Sequence, residues 1–198
     1  MPRVSPEYLE DRREEILDGA RRTFGRYGFE GATVVRLEQE IGVSRGAIFH
    51  YFPSKEDLFI AVAERQSDRI ARLFDDKGLA GVVRALAAED PGWLGTFFEA
   101  ARLARFDPDF RVRWEQRRNA LDTAITEGVR RDRRAGRLRR DVPAWALARF
   151  VGIFLDGVSL QAPTIGLPRD LGPVLRLAEE PLGPPQVKKT GSSERLKS

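Results

Sequence analysis

Thr33-Val-Val-Arg-Leu-Glu-Gln-Glu-Ile-Gly-Val-Ser-Arg-Gly-Ala-Ile-Phe-His-Tyr-Phe52, followed by Pro53-Ser54-Lys55, is the stretch whose reading decides the fold. Thr33 suits the N-cap of a short helix, because its hydroxyl can accept a bond from an amide that has no partner inside the helix. Val34, Leu37 and Ile41 recur at helical spacing and define an inward face. Gly42 sits where the chain must turn sharply, at a position that suits positive φ. Ser44 then caps a second short helix, in which Ala47, Ile48 and Phe52 are expected to face inward and Arg45, His50 and Tyr51 outward. Pro53 stops it, since the residue before a proline is pushed out of the α region. Two short helices around a glycine-containing turn form a helix-turn-helix, and its second helix has the size of a DNA major groove.

Upstream, Ser5-Pro6-Glu7 combines an N-cap, a first-turn proline and an acid at the positive end of the helix dipole. A helix is predicted from there to about Tyr27, with Leu9, Ile16, Leu17, Ala20 and Phe24 as its apolar stripe. Gly28 would end it, and Phe29 would fold back onto its last turn. Downstream, Ser54 caps a helix over about Lys55 to Asp76. Further helices are predicted near Leu79–Ala88, over Trp93–Phe106, from Asp107-Pro108 to about Ala135, over Val142–Gln161 and over Arg169–Glu180, with Pro163 to Pro168 as a loop. From Pro181 onward Pro, Gly, Lys and Ser dominate, which predicts a disordered tail. No strand-length alternation and no repeat is present. The fold class is therefore all-α, with about nine helices. A helix-turn-helix unit is placed at 1–54, a larger helical unit at 55–180 and the tail at 181–198.

Composition bounds the chemistry. The chain has 198 residues, 41% of them hydrophobic, which is enough for a sizeable core. It has no cysteine and one histidine, so thiol chemistry, disulfides and Cys/His metal sites are excluded. The cysteine-free composition suits a reducing cytoplasm. No stretch approaches a membrane span, and the N-terminus lacks a signal-peptide core. The net charge is +4, unevenly spread. Residues 1–60 hold nine Lys/Arg and eleven Asp/Glu, or −2, while residues 111–140 hold eleven Arg and four acids, or +7. Nucleic-acid contact in the first unit therefore has to come from a local patch rather than from a basic field. The arginine-rich segment is expected to be a solvated helix face whose stems shield apolar surface.

Two segments in one register, Ala20-Arg-Arg-Thr-Phe-Gly-Arg-Tyr-Gly-Phe-Glu-Gly-Ala-Thr33 and Gly42-Val-Ser-Arg-Gly-Ala-Ile-Phe-His-Tyr-Phe-Pro-Ser-Lys-Glu-Asp-Leu-Phe59, resemble the TetR family of transcriptional regulators. Arg36-Leu-Glu38, Phe106-Asp-Pro108, Asp141-Val-Pro143 and Leu155-Asp-Gly-Val158 resemble its actinobacterial aconitase repressor (AcnR) subgroup, which shares Glu38 where most TetR-like proteins carry Ala. The resemblance implies a cytoplasmic homodimer that binds double-stranded DNA at a palindromic operator, and a small-molecule effector that releases it. It needs no cofactor.

Carried onto this chain, the base-edge contacts are Arg45, Gly46, Ala47, Phe49 and His50, and Arg45 can pair bidentately with guanine O6 and N7. Thr33, Arg36, Ser44, Tyr51 and Lys55 are placed for phosphates. Trp93, Phe97, Phe98, Glu99, Arg102 and Trp114 are the candidate effector-pocket residues. The subgroup implies citrate with a divalent metal as effector, with the pocket acid at Glu179. The arginine expected in the long middle helix falls at Gly128, and another charged position falls at Phe97. A tricarboxylate needs cationic partners, so, unless Arg130 or Arg102 substitutes, these residues predict an effector more apolar than citrate or a site that has lost its ligand. Asp156-Gly157, the apolar face of 142–161 and Leu171–Leu177 are the candidate dimer element. The competing reading is an all-α enzyme or interaction module with a carboxylate pair such as Glu99 and Asp122. It lacks a paired nucleophile and base, a phosphate loop and metal-ligand spacing.

Overall fold

A computed structural model describes residues 5–184. Eight α-helices and one 3-10 turn are present among the described residues, and no strand. The first helix, α1 (Pro6–Gly31), starts as its sequence dictates: the Ser5 hydroxyl accepts from the Tyr8 amide at 3.2 Å, with Pro6 in the first turn. Gly28 (φ 70°, ψ 176°) breaks the helical path, and Phe29 folds back to 2% exposure beside Phe24, with ring centroids 6.0 Å apart. The helix-turn-helix follows as α2 (Val34–Ile41) and α3 (Arg45–Tyr51). Of the expected inward residues, Leu37, Ile48 and Phe52 are buried, whereas Val34, Ile41 and Ala47 are half-buried.

The long helix α4 (Lys55–Ala87) is bent at Gly78 (φ 62°), which separates the two helices predicted from the sequence. Then come α5 (Pro91–Phe106), α6 (Pro108–Arg134), α7 (Ala144–Thr164), α8 (Gly172–Glu179) and the 3-10 turn Glu180–Leu182. Three boundaries of the last two α-helices differ from expectation. Pro143 forces Val142 out of helical geometry, so α7 begins at Ala144. Its other end runs through Pro163, where a proline near the terminus removes only one ladder bond. The Asp170 carboxylate accepts from the Gly172 amide at 2.9 Å, a side-chain turn that delays α8. The tail expected from Pro181 starts later: Leu182 is buried and its carbonyl accepts from the Arg139 amide at 2.9 Å. The rest of that expectation falls outside the described residues.

Two apolar clusters organise the helices. The first gathers Phe24, Phe29, Leu37, Ile48 and Phe52 with Phe59, Trp93 and Phe110 from α4, α5 and α6. The second joins the far half of α4 to α6, α7 and α8 through Val82, Leu86, Ile125, Val151, Leu155 and Leu175. The helix-turn-helix thus shares its core with α4, α5 and α6. Each fully buried aromatic in that core contributes roughly 1.5–3 kcal/mol by leaving water. Leu9, expected on the apolar stripe of α1, points outward, and on α7 the aromatic residues Trp145 and Phe150 are exposed, Trp145 to 68%.

Candidate DNA-reading face and effector cavity

The turn between α2 and α3 is set by Gly42, whose φ of 78° and ψ of 23° lie in the left-handed region that disfavours a side chain. Both helices are capped locally. Thr33 Oγ accepts from the Arg36 amide at 3.4 Å and Ser44 Oγ from the Ala47 amide at 3.3 Å. Glu38 adds a cap between the helices, its carboxylate accepting from the Arg45 amide at 2.5 Å. The first amide of α3, an orphan donor, is thereby bonded to a negative charge at the positive end of the helix.

On this support Thr33, Arg36, Ser44, Arg45, Gly46 and His50 are exposed. Nothing crowds Gly46, where an added Cβ would meet open space. The Arg45 guanidinium lies 5.7 Å over the Phe49 ring and has no carboxylate partner among the described residues. Arg36 donates to the Gly31 carbonyl at 2.8 Å and stacks 4.4 Å over Tyr27. Ala47, Phe49 and Tyr51 are half-buried, so Tyr51 is less outward than its spacing predicts. Lys55 is drawn inward: its ammonium donates to the Phe29 carbonyl at 3.0 Å and lies 4.3 Å over the Phe29 ring. It ties the start of α4 to the loop after α1.

A second feature lies between α4, α5, α6 and α7. A cavity of about 320 Å³ is lined by Ile70, Leu94, Phe97, Phe98, Trp114 and Leu121 among its apolar residues. Its polar groups are Gln66, Ser67, Arg117, Arg118, Asp122, Asp156 and Ser159. Arg118 holds both acids, with 2.7 and 2.8 Å to Asp156 and 3.0 Å to Asp122. Burial is the largest influence on the Arg118 pKa and lowers it, but the bonds and charges of Asp156 and Asp122 together more than restore it, so the net shift is upward. Arg117 is 7% exposed and donates to Ser67 Oγ at 2.7 Å. Burial, and then the neighbouring Arg118, pull the Arg117 guanidinium down to about 10. It remains charged at neutral pH.

Three of the seven predicted effector residues, Phe97, Phe98 and Trp114, line this cavity. The other four have different surroundings. Trp93 is fully buried in the first cluster, against Phe59 and Phe97. Glu99 accepts the Phe29 amide at 2.7 Å, and Arg102 reaches Glu30 at 3.1 Å. Glu179 is exposed on α8. Periodicity missed Arg117, which was expected on a solvated face; the signal was Trp114 three residues earlier on the same helix face. Other arginines of the segment tie helices together, Arg113 to Asp57 and Arg131 to Asp75. The two acids of the cavity, Asp122 and Asp156, are both bonded to Arg118. The carboxylates proposed as a catalytic pair are committed separately, Glu99 to Phe29 and Asp122 to Arg118.

Residues 16–62 match the family described as "Bacterial regulatory proteins, tetR family". The HTH-type transcriptional repressor Rv1474c of Mycobacterium tuberculosis is 46% identical over 181 residues, covering 90% of this chain and 97% of that protein. The HTH-type transcriptional repressor AcnR of Corynebacterium diphtheriae is 44% identical over 182 residues, covering 91% and 96%. Among solved structures, FadR of Bacillus subtilis in complex with stearoyl-CoA superposes with a TM-score of 0.66 at 17% identity, covering 85% of this chain and 98% of that one. No helix among the described residues is long and apolar enough to cross a membrane. The chain belongs to the TetR family of bacterial regulatory proteins, as a ligand-responsive transcriptional repressor of the helix-turn-helix type rather than an enzyme.

Proposed function

We propose that this repressor works in the cytoplasm as a homodimer that reads a palindromic operator through α3, and that it controls aconitase or other central-metabolism genes. The observation that carries the reading is Arg45: exposed, without a carboxylate partner among the described residues, and on a helix whose first amide is fixed by Glu38. Arg45 would pair with a guanine edge, with Gly46, Ala47, Phe49 and His50 beside it on the groove floor. Thr33, Arg36, Ser44 and Tyr51 would hold phosphates and set the register. Lys55, engaged on Phe29, is assigned to holding the loop. Residues 1–54 form the DNA-reading unit and 55–180 the effector and dimer unit. The regulated genes are inferred from the name AcnR carried by relatives at 41–44% identity.

For the dimer, α7 presents Phe150, Ile153, Gly157 and Leu160 on one face, at steps of three and four, and α8 adds Val174 and Leu177. Each of the large ones is exposed in the single chain. Paired with a second copy, α7 and α8 would make a four-helix interface. The cavity between α4 and α7 is the effector site in this reading, since it is concave, apolar and carries few polar groups. A gel shift with the DNA flanking the protein's own gene tests the central point. Arg45→Ala should lose about 1–3 kcal/mol of specific binding, roughly 5- to 150-fold. Unchanged affinity would remove Arg45 from recognition.

A further inference from the structure

Arg117 is the one buried cation of the cavity that no acid holds among the described residues. Its Nη1 donates to Ser67 Oγ, and that hydroxyl in turn donates to the Ala63 carbonyl. Its Nε is buried without a partner, and Nη2 makes no bond among the described residues. The guanidinium plane is held 4.0 Å over Trp114 and 5.7 Å from Phe97. Asp156, Glu64 and Asp122 are the acids whose fields reach it, and none lies at ion-pair distance from it. Arg118, its neighbour in sequence, takes Asp156 and Asp122 by hydrogen bonds. A buried cation with a neutral partner is costly, and the remedy is an anion. Nε is sealed from any water-sized atom, so Nη2 is the guanidinium nitrogen left for a carboxylate oxygen.

Resting on the reading of this cavity as the effector site, we infer that the effector is an amphipathic monocarboxylate: its head pairs with Nη2 of Arg117 and its apolar body lies against Trp114, Phe97, Leu94 and Leu121. Asp156 and Asp122 are balanced by Arg118 together with Arg149, which lies 3.7 Å from Asp122, and this leaves no unpaired charge of either sign for a second ionic head. The cavity of about 320 Å³ lies at the small end of ligand sites, which run from about 300 to 1,000 Å³. This fits one head and a short body.

Calorimetry on the full chain with octanoate, 1-octanol, octylamine and citrate–magnesium decides it, with tryptophan emission as a second readout because Trp114 stacks on the anchor. Octanoate should bind at least about tenfold more tightly than the alcohol or the amine, as a charge-assisted pair requires. Arg117→Met should abolish that preference, and Arg117→Lys should restore part of it. Equal binding of octanol, preference for octylamine, tighter citrate–magnesium binding, octanoate binding untouched by Arg117→Met, or no binding of any probe would each overturn the inference. Operator affinity measured with and without octanoate separates the two readings. Octanoate held through Arg117 with no change at the operator would keep the anion site and refute its role as the effector site.

Discussion

Glu99 is one of the residues through which α5 holds the helix-turn-helix unit, and its removal has a calculable cost. Its carboxylate accepts the Phe29 amide at 2.7 Å, just after the break at Gly28. Phe29 is held from the other side by Lys55 at its carbonyl, and its ring packs 5.3 Å from Phe59. Two residues earlier on α5, Phe97 lines the cavity, and three residues later Arg102 reaches Glu30. One helix therefore touches the cavity and the loop that carries the helix-turn-helix. Glu99→Ala leaves the Phe29 amide without its acceptor. A hydrogen bond to a charged group is worth about 1.5–3 kcal/mol, more than a neutral one. For a chain of this size each kcal/mol moves the melting temperature by about 2–4 °C, so the variant should melt roughly 3–12 °C lower. Glu99→Gln keeps an acceptor oxygen and loses only the charge, so its loss should be clearly smaller. The exposed Arg102–Glu30 pair adds about 0–1 kcal/mol and cannot compensate.

The assay is thermal unfolding at matched protomer concentration, since dimerisation makes the midpoint concentration-dependent. A loss of under about 1 °C for Glu99→Ala, or an equal loss for Gln and Ala, would refute the latch, because either outcome means that the charge-assisted bond is not formed in solution. The same variant should weaken the response of operator binding to effector, since coupling of about 1–3 kcal/mol needs a two-state element that both sites bias.

Gly92→Ala should cost about 1–3 kcal/mol by urea unfolding, because an added Cβ would sit 2.2 Å from the Gly25 carbonyl oxygen, a backbone atom that cannot move aside cheaply; wild-type stability would mean that α1 and α5 sit further apart than described. Ile153→Glu and Leu177→Glu should each shift the dimer to monomer in analytical ultracentrifugation at micromolar concentration while the far-ultraviolet helix signal is kept, and a persistent dimer would move the interface off α7 and α8. With Arg36 on a phosphate and Arg45 on the groove floor in each subunit, the log-log salt dependence of operator binding should have a slope between about −2 and −4; a slope of about −8 or steeper would bring in cations beyond the helix-turn-helix, with the 111–140 segment as a large source of them.

Local features were legible in the residues and tertiary ones were not. Ser5, Thr33, Ser44, Ser54 and Asp107 all cap helices as their positions predict, because a cap depends on the three residues that follow it. Gly28, Gly42 and Gly78 break the chain where expected, each at positive φ. Arg117 and Arg118 are neighbours of one residue type, yet one is sealed against Trp114 and the other bonded to acids of two helices. That difference comes from Ser67 and Phe97 on other elements, which no spacing within α6 reveals. The apolar surface of α7 poses the same difficulty. Leu147, Val151 and Leu155 enter the core while Trp145, Ile153 and Leu160 face out, and side-chain chemistry does not separate the two sets.

The acidic balance of residues 1–60 is reconciled with DNA reading by where the acids are bound. Glu14 and Asp18 are taken by Arg65, Glu15 by Arg12, Glu40 by Arg26, Asp57 by Arg113 and Glu30 by Arg102. Arg65, Arg113 and Arg102 belong to α4, α6 and α5, so the larger unit supplies cations that neutralise the smaller one. Glu38 lies nearest to α3, and its charge is directed at the Arg45 amide, where it opposes the helix dipole instead of the guanidinium. Exposed charges more than about 8–10 Å apart are screened at physiological salt, so the field at the groove depends on what stands within one Debye length of α3. There Arg45 stands with no carboxylate partner among the described residues. A unit with net negative charge can therefore present a positive tip, and the arginines of the larger unit serve partly to keep that tip unopposed.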